Sequence, residues 1–257
     1  MKTRYLEVDD RTEELNEILA SGKGRAQEFQ GKLDLSVIYH ENALEGIVFS
    51  SAEMLLALDP TAVAVEASMI PVFSEVRNHK AAIDFVRAEA GAKKTNITLT
   101  LVKKLYEILG AGIEGREKAT YRKDMPLHRT YFHEIDQPTK IAASLEKLVD
   151  FTTTAEFREQ HPINQAASVQ WSFMQAFPFP ENNGKVARLL SHLVLIRQGY
   201  LPAVIHSIDR QRYYECLRMP MTGLRQLLLE AMENSLDNAF NFFGRQPKSH
   251  RRQASNE

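Results

Sequence analysis

Cysteine and long apolar runs are scarce in this chain of 257 residues, and each scarcity removes a class of protein. The lone Cys216 excludes an internal disulfide and any multi-thiolate zinc site. No stretch approaches the ~18 to 20 apolar residues of a membrane span. Met1-Lys2-Thr3-Arg4 runs into acidic residues instead of the apolar core of a signal peptide, so the expected compartment is the cytoplasm, with export through an effector-type secretion system left open. Surplus charge is also missing: a net charge of −1 gives no global attraction to nucleic acid or to an anionic membrane. The eight histidines include no His-x-x-x-His pair, which argues against a histidine-built metal site. No internal repeat is visible.

What is present is ordinary globular material, 44% hydrophobic and 25% charged, enough for one large domain or two small ones. Helical spacing dominates. A short amphipathic helix is expected over residues 11–19, broken at Ser21-Gly22-Lys23-Gly24, with helices resuming over 26–45 and 50–58 until Asp59-Pro60. Residues 71–90 place Val72, Val76, Ala82, Ile83 and Val86 mainly on one side. Thr98 suits the N-cap of a helix over 99–109, and glycines from Gly110 to Gly115 follow it. Further helices are expected over 138–152, from Pro162 through Phe173, over 185–199 and over 224–243. The tail, residues 245–257, is polar and basic and is expected to be disordered, with Arg251-Arg252 solvated. His133, His192, Trp171 and Phe173 are assigned to packing or surface roles.

One segment carries chemistry: Phe177-Pro178-Phe179-Pro180-Glu181-Asn182-Asn183-Gly184-Lys185-Val186-Ala187-Arg188. The prolines enforce an extended approach, Asn182-Asn183-Gly184 supply a turn able to visit positive φ, and a helix begins at once. Such a turn aims unpaired N–H groups and the positive end of a helix dipole at one point, which suits an anion. Glu181 beside it can hold a divalent cation, and Lys185 and Arg188 add positive charge. Spacing alone fits an ordinary helix–loop–helix corner equally well.

The segment resembles the signature loop of the Fic (Fido) family, His-x-Phe-x-(Asp/Glu)-Gly-Asn-Gly-(Arg/Lys)-x-x-Arg. Phe179, Glu181, Asn183, Gly184, Lys185 and Arg188 fall in register, while Phe177 replaces the histidine and Asn182 the first glycine. Ala119-Thr120-Tyr121-Arg122 with Met125-Pro126-Leu127 resembles the family's β-hairpin flap, which clamps a target segment as an added strand. Asp209-Arg210-Gln211-Arg212-Tyr213-Tyr214 is similar to the stretch near the nucleotide base. Residues 38–46 resemble the segment bearing the inhibitory motif (Ser/Thr)-x-x-x-Glu-(Gly/Asn), with Glu45 and Gly46 in place and Glu41 where Ser or Thr is expected. The resemblance covers residues 33–240.

It implies an all-α fold with a Fic/Fido helical core over 96–240, a small hairpin flap contributing Thr120, Tyr121 and Arg122, and an N-terminal helical region over 1–95. By the same resemblance, Asn182, Asn183, Gly184, Lys185 and Arg188 bind the phosphates of ATP, Glu181 coordinates Mg²⁺, and Glu45 pairs with Arg188 to hold the nucleotide in an unproductive pose. The family histidine is the general base that deprotonates a target hydroxyl, and a phenyl ring cannot replace it. Three functions stay open. One is a degenerate protein that binds nucleotide and a protein partner without efficient AMP transfer. Another is an enzyme moving AMP or another phosphate-containing group to protein hydroxyls with a substitute base. The third is a structural partner, in a homodimer, with no nucleotide.

Overall fold

The structure is a computed structural model that describes residues 2–64, 66–92, 96–127 and 133–245. Local signals set most of its boundaries. Helix α1 (Lys2–Ser21) stops at Gly22 and α2 (Lys23–Leu44) restarts after it, a break at the residue least suited to a helix interior after proline. Helix α3 (Ser51–Leu58) opens on a reciprocal capping box, Ser50 Oγ accepting from the Glu53 N–H while the Glu53 carboxylate accepts from the Ser50 N–H. Helix α4 spans Met69–Gly91. Helix α5 (Leu99–Leu109) is capped by Thr98, whose hydroxyl accepts from the Leu101 N–H. A 3₁₀ turn at Pro138–Lys140 leads into α6 (Ile141–Phe151), followed by the short α7 (Ala155–Arg158). Helix α8 (Pro162–Ala176) begins with proline in its first turn, where the missing N–H is harmless. Then come α9 (Asn183–Arg197), α10 (Arg210–Arg218) and α11 (Thr222–Phe243), the last closed by Gly244 in the left-handed conformation, φ 64°.

Every residue of α9 from Asn183 to Leu195 is buried, which makes it the axis of the molecule. Helix α8 packs on one side of it and α4 on another, α5 adds a further wall, and α1 lies against α11. The apolar interior is continuous from Val8 and Leu15 of α1 through Leu105 and Phe173 to Phe240 of α11. A helix buried on all sides should be apolar on all sides. Helix α9 departs from that at Lys185, Arg188 and His192, spaced so that they share one face.

Two expectations change. The first helix extends back to Lys2, well before residue 11, because packing against α11 and salt bridges from Arg4 to Glu233 and Arg11 to Asp237 support it along its length. No strand occurs among the described residues, and residues 119–127 form an irregular run where the flap hairpin was expected. The backbone of Arg122 donates to Pro178 O at 2.9 Å and that of Thr120 turns back to Lys118 O at 2.8 Å, so these donors are committed to the α8–α9 loop and to a local turn. Residues 128–132, which follow this irregular run, lie outside the described residues, as does the tail from 246.

Candidate functional site

The loop between α8 and α9 is held from three directions. Phe177, which ends α8, sits in the left-handed region at φ 43° and ψ 60°, a conformation uncommon for a bulky residue and in need of outside support. Arg122 supplies that support: its Nε donates to Phe177 O at 2.7 Å and its NH2 group to Asp136 O. Phe179 is fully buried, stacked on Tyr106 with centroids 4.2 Å apart and tilted against Phe173 at 6.3 Å. Asn183 closes the loop from below, its amide donating to Phe179 O at 2.7 Å and accepting from Phe179 N–H at 2.9 Å. Asn182 takes the positive φ, 58°, that its type tolerates better than most. Gly184 does not need positive φ. It lies within α9, and a Cβ there would overlap Glu45 Oε1 and stand 2.8 Å from an Arg188 terminal nitrogen, so glycine is required for space.

The polar face of α9 is met by carboxylates from two other helices. Lys185 Nζ donates to Glu75 Oε2 of α4 at 2.8 Å, and Glu75 Oε1 also accepts from Arg116 at 2.8 Å. Arg116 in turn pairs with Glu181. Arg188, 1% exposed, is enclosed by α2: its Nε donates to Glu41 Oε2 at 3.0 Å, and its NH2 group to Glu41 O at 3.2 Å and Glu45 Oε1 at 2.8 Å. On its far side NH1 reaches the Tyr213 hydroxyl at 3.5 Å, with the ring below the guanidinium. Glu41 and Glu45 meet one guanidinium because residues four apart share a helix face.

Burial sets the protonation states. It pushes the Glu41 carboxyl up to about 7, outweighing the attraction of Arg188. Burial opposes the charge of Arg188, but the carboxylates of Glu41 and Glu45 together hold it above its ordinary value. His192, whose Nε2 is 3.8 Å from Glu41, is lowered to about 4, chiefly by burial, and His79 is lowered well below its ordinary value by burial and by Lys185 and Arg188. Both imidazoles are therefore neutral at pH 7. Three cations, Arg116, Lys185 and Arg188, face four carboxylates, Glu41, Glu45, Glu75 and Glu181. The site as folded carries no surplus of positive charge among these paired groups.

Most sequence-predicted residues come together here, but several are occupied in unexpected ways. Lys185 is buried against Glu75 instead of facing an open first turn, and the Asn183 side chain secures the loop instead of lining a cradle. Arg122, assigned to a target-clamping flap, is buried under the loop, while Thr120 is exposed and Tyr121 packs against Phe179 at 6.0 Å. Glu75, Arg116 and Glu41 were not singled out as site residues. Glu75 and Arg116 sit far from the motif in sequence, and Glu41 was visible only as an irregularity of the inhibitory segment. Among the described residues no three metal-ligating side chains gather. Glu181, half exposed, offers a single carboxylate, which fits an Mg²⁺ ion arriving with phosphate and water ligands once Arg116 moves aside.

The Fic/DOC family pattern matches residues 96–195. Over 206 residues the chain is 25% identical to the protein adenylyltransferase Fic of Drosophila willistoni, a match covering 78% of this chain and 40% of that one. It thus spans about two fifths of the length of the curated relatives it matches. Fic-1 from C. elegans superimposes with a TM-score of 0.80 at 21% identity, over 94% of this chain and 71% of that one. A Fic domain containing signaling protein from Bacteroides thetaiotaomicron gives 0.77 at 20% identity, over 95% and 98%. At these identities the structural likeness is one of fold. No helix among the described residues is long and apolar enough to cross a membrane.

Proposed function

Residues 96–195 of this chain are a Fic/DOC family domain, and on that premise we propose that the protein binds ATP with Mg²⁺ at the α8–α9 loop, transfers AMP weakly or not at all, and acts as a regulatory module on a protein partner. Residue 177 carries this reading. Where the family places its general base, this chain has a phenyl ring, 7% exposed, whose backbone is fixed by Arg122. A positioned general base contributes roughly 10² to 10⁴ in rate, and a hydrocarbon ring supplies none of it.

Binding is supported by the residues that remain. The first turn of α9 offers unpaired N–H groups and a dipole end to a phosphate, and Arg188 and Lys185 stand on that turn and the next. Glu181 would hold the metal, which supplies charge neutralisation at the phosphates. The resting arrangement is restrained, because Glu45 holds the arginine that would meet the terminal phosphate. The exposed surface of residues 119–127 is the proposed contact for a protein target. A second reading, transfer with a substitute base, draws on His133, whose imidazole lies edge-on to Phe177 with centroids 6.0 Å apart. Its burial and its bond to Met174 O at 2.7 Å weigh against a base that must reach a target hydroxyl.

Calorimetry with ATP in the presence and absence of Mg²⁺, run beside intact-mass analysis of the same samples, tests the proposal. Saturable Mg²⁺-assisted binding with no added mass is expected. An AMP adduct on the unaltered protein would establish the enzyme reading, and absence of binding even in variants that free Arg188 would remove nucleotide from the account.

A further inference from the structure

We propose that Glu41 is a second and dominant restraint on Arg188, acting independently of Glu45, so that the arginine stays withdrawn from an incoming phosphate even when Glu45 is gone. The proposal rests on the reading of the α8–α9 loop as a nucleotide site and concerns the regulation of that site. Three observations carry it. Glu41 makes two contacts with the guanidinium, through its carboxylate at 3.0 Å and its main-chain oxygen at 3.2 Å, where Glu45 makes one at 2.8 Å. The Glu41 side chain is 3% exposed against 18% for Glu45, so water competes little for the first pair and more readily for the second. The main-chain contact also ties Arg188 to the body of α2, so that full release requires movement of the helix as well as of a side chain.

Chemistry makes the two restraints unequal in kind. Loss of Glu45 leaves the guanidinium with the carboxylate and main-chain oxygen of Glu41 and the Tyr213 hydroxyl, a complete enough set to keep it in place. Loss of charge at Glu41 leaves Arg188 buried beside a carboxylate that is 18% exposed, the more water-accessible of the two and the one with which a phosphate competes better. The groups around Glu41 are Arg188, Lys185 and His192 on α9 and Glu45 at the end of α2, and His79 of α4 bonds the neighbouring Asn42. The two histidines are neutral from pH 6 to 8, whereas the charge of Glu41 changes across that window. Protonation at pH 6 weakens the restraint, and ionisation at pH 8 tightens it.

The test compares the unaltered protein with Glu45→Gly, Glu41→Gln and the double variant, each shown to be folded by circular dichroism. Two readouts are taken: MgATP affinity by calorimetry at pH 6 and pH 8, and solvent exchange of the Arg188 Nε–H by ¹⁵N NMR, assigned by its loss in Arg188→Lys. Glu45→Gly alone should gain less than about threefold in affinity and keep the Nε–H protected, whereas the double variant should gain roughly ten- to a hundredfold, the worth of a charge-assisted bond released. Affinity of the unaltered protein should rise from pH 8 to pH 6 relative to Glu41→Gln, a comparison from which the nucleotide's own protonation cancels. A tenfold gain or rapid Nε–H exchange in Glu45→Gly alone overturns the proposal, and that arm decides even if Glu41→Gln fails to fold. Absence of ATP binding in every variant would count against the nucleotide reading, while Nε–H exchange would still decide the role of Glu41.

Discussion

Phe177 occupies a left-handed conformation without being glycine or asparagine, and its main-chain oxygen is bonded to a buried arginine from a distant segment. Strain of this kind costs of order 1 to 3 kcal/mol and persists only where neighbours impose it. Arg122 is that neighbour, joining Phe177 O, Asp136 O and Asp124 O through one side chain. Arg122→Ala should therefore destabilise the protein by about 2 to 4 kcal/mol, since it strands the buried Phe177 carbonyl and releases two part-buried ones, and should raise the proteolytic susceptibility of residues 177–182. Thermal melting and limited proteolysis measure both. An exposed flap arginine would give a change within about 0.5 kcal/mol on the same scale.

Among the elements, α9 is the one whose composition conflicts with its position. A central helix that buries Lys185, Arg188 and His192 needs a carboxylate opposite each cation, and α4 and α2 bring Glu75, Glu41 and Glu45. Glu75→Ala would leave the Lys185 ammonium buried beside Arg116 without a counter-charge, at a cost of about 3 to 5 kcal/mol. Lys185→Met combined with Glu75→Leu should recover most of that loss, because a buried ion pair gains little over well-packed apolar residues. Denaturant unfolding of the three proteins checks the ordering, and a Glu75→Ala protein as stable as the parent would contradict it.

The helices themselves were legible where a local signal exists. Thr98 marks the start of α5, Asp59-Pro60 follows the end of α3, and Pro162 opens α8. The turn into α9 was legible from Asn182, Asn183 and Gly184, although the glycine is there for room against Glu45 and not for its dihedral freedom. What the sequence could not disclose was pairing across distance. Lys185 and Glu75 are 110 residues apart and Arg116 and Glu75 are 41 apart, and no periodicity links such positions. The irregular course of 119–127 was hidden for the same reason, since the partner of Arg122 is Pro178 and not a neighbouring strand.

For the molecule as a whole, buried titratable groups shape the stability curve from both sides. His192 and His40 are lowered to about 4 and His79 well below its ordinary value, burial being the leading cause in each. Their contribution is complete above the unfolded value near 6.5 and is lost as pH falls toward 4, because the unfolded chain takes up protons that the folded one refuses. Glu41 acts in the opposite sense. Its folded value of about 7 lies above the ordinary 4.5, so the folded state holds a proton that the unfolded chain releases, and stability from this group is full below 4.5 and lost as pH rises through 7. The unaltered protein should consequently lose on the order of 3 kcal/mol relative to Glu41→Gln between pH 4.5 and pH 8. Chemical denaturation at several pH values reads this difference directly, and parallel curves would show Glu41 to be ionised throughout.

On the proposed reading, the α8–α9 loop lacks a base at Phe177 and has its arginine withheld by Glu41 and Glu45. Incubation with labelled ATP and Mg²⁺, followed by gel detection of incorporated AMP, tests it most directly. The unaltered protein and Phe177→His alone should remain unlabelled or nearly so. Phe177→His combined with Glu41→Gln and Glu45→Gly should label itself, with a gain larger than the product of the separate effects, because base and phosphate pose act as one unit. Strong labelling of the unaltered protein would contradict the account.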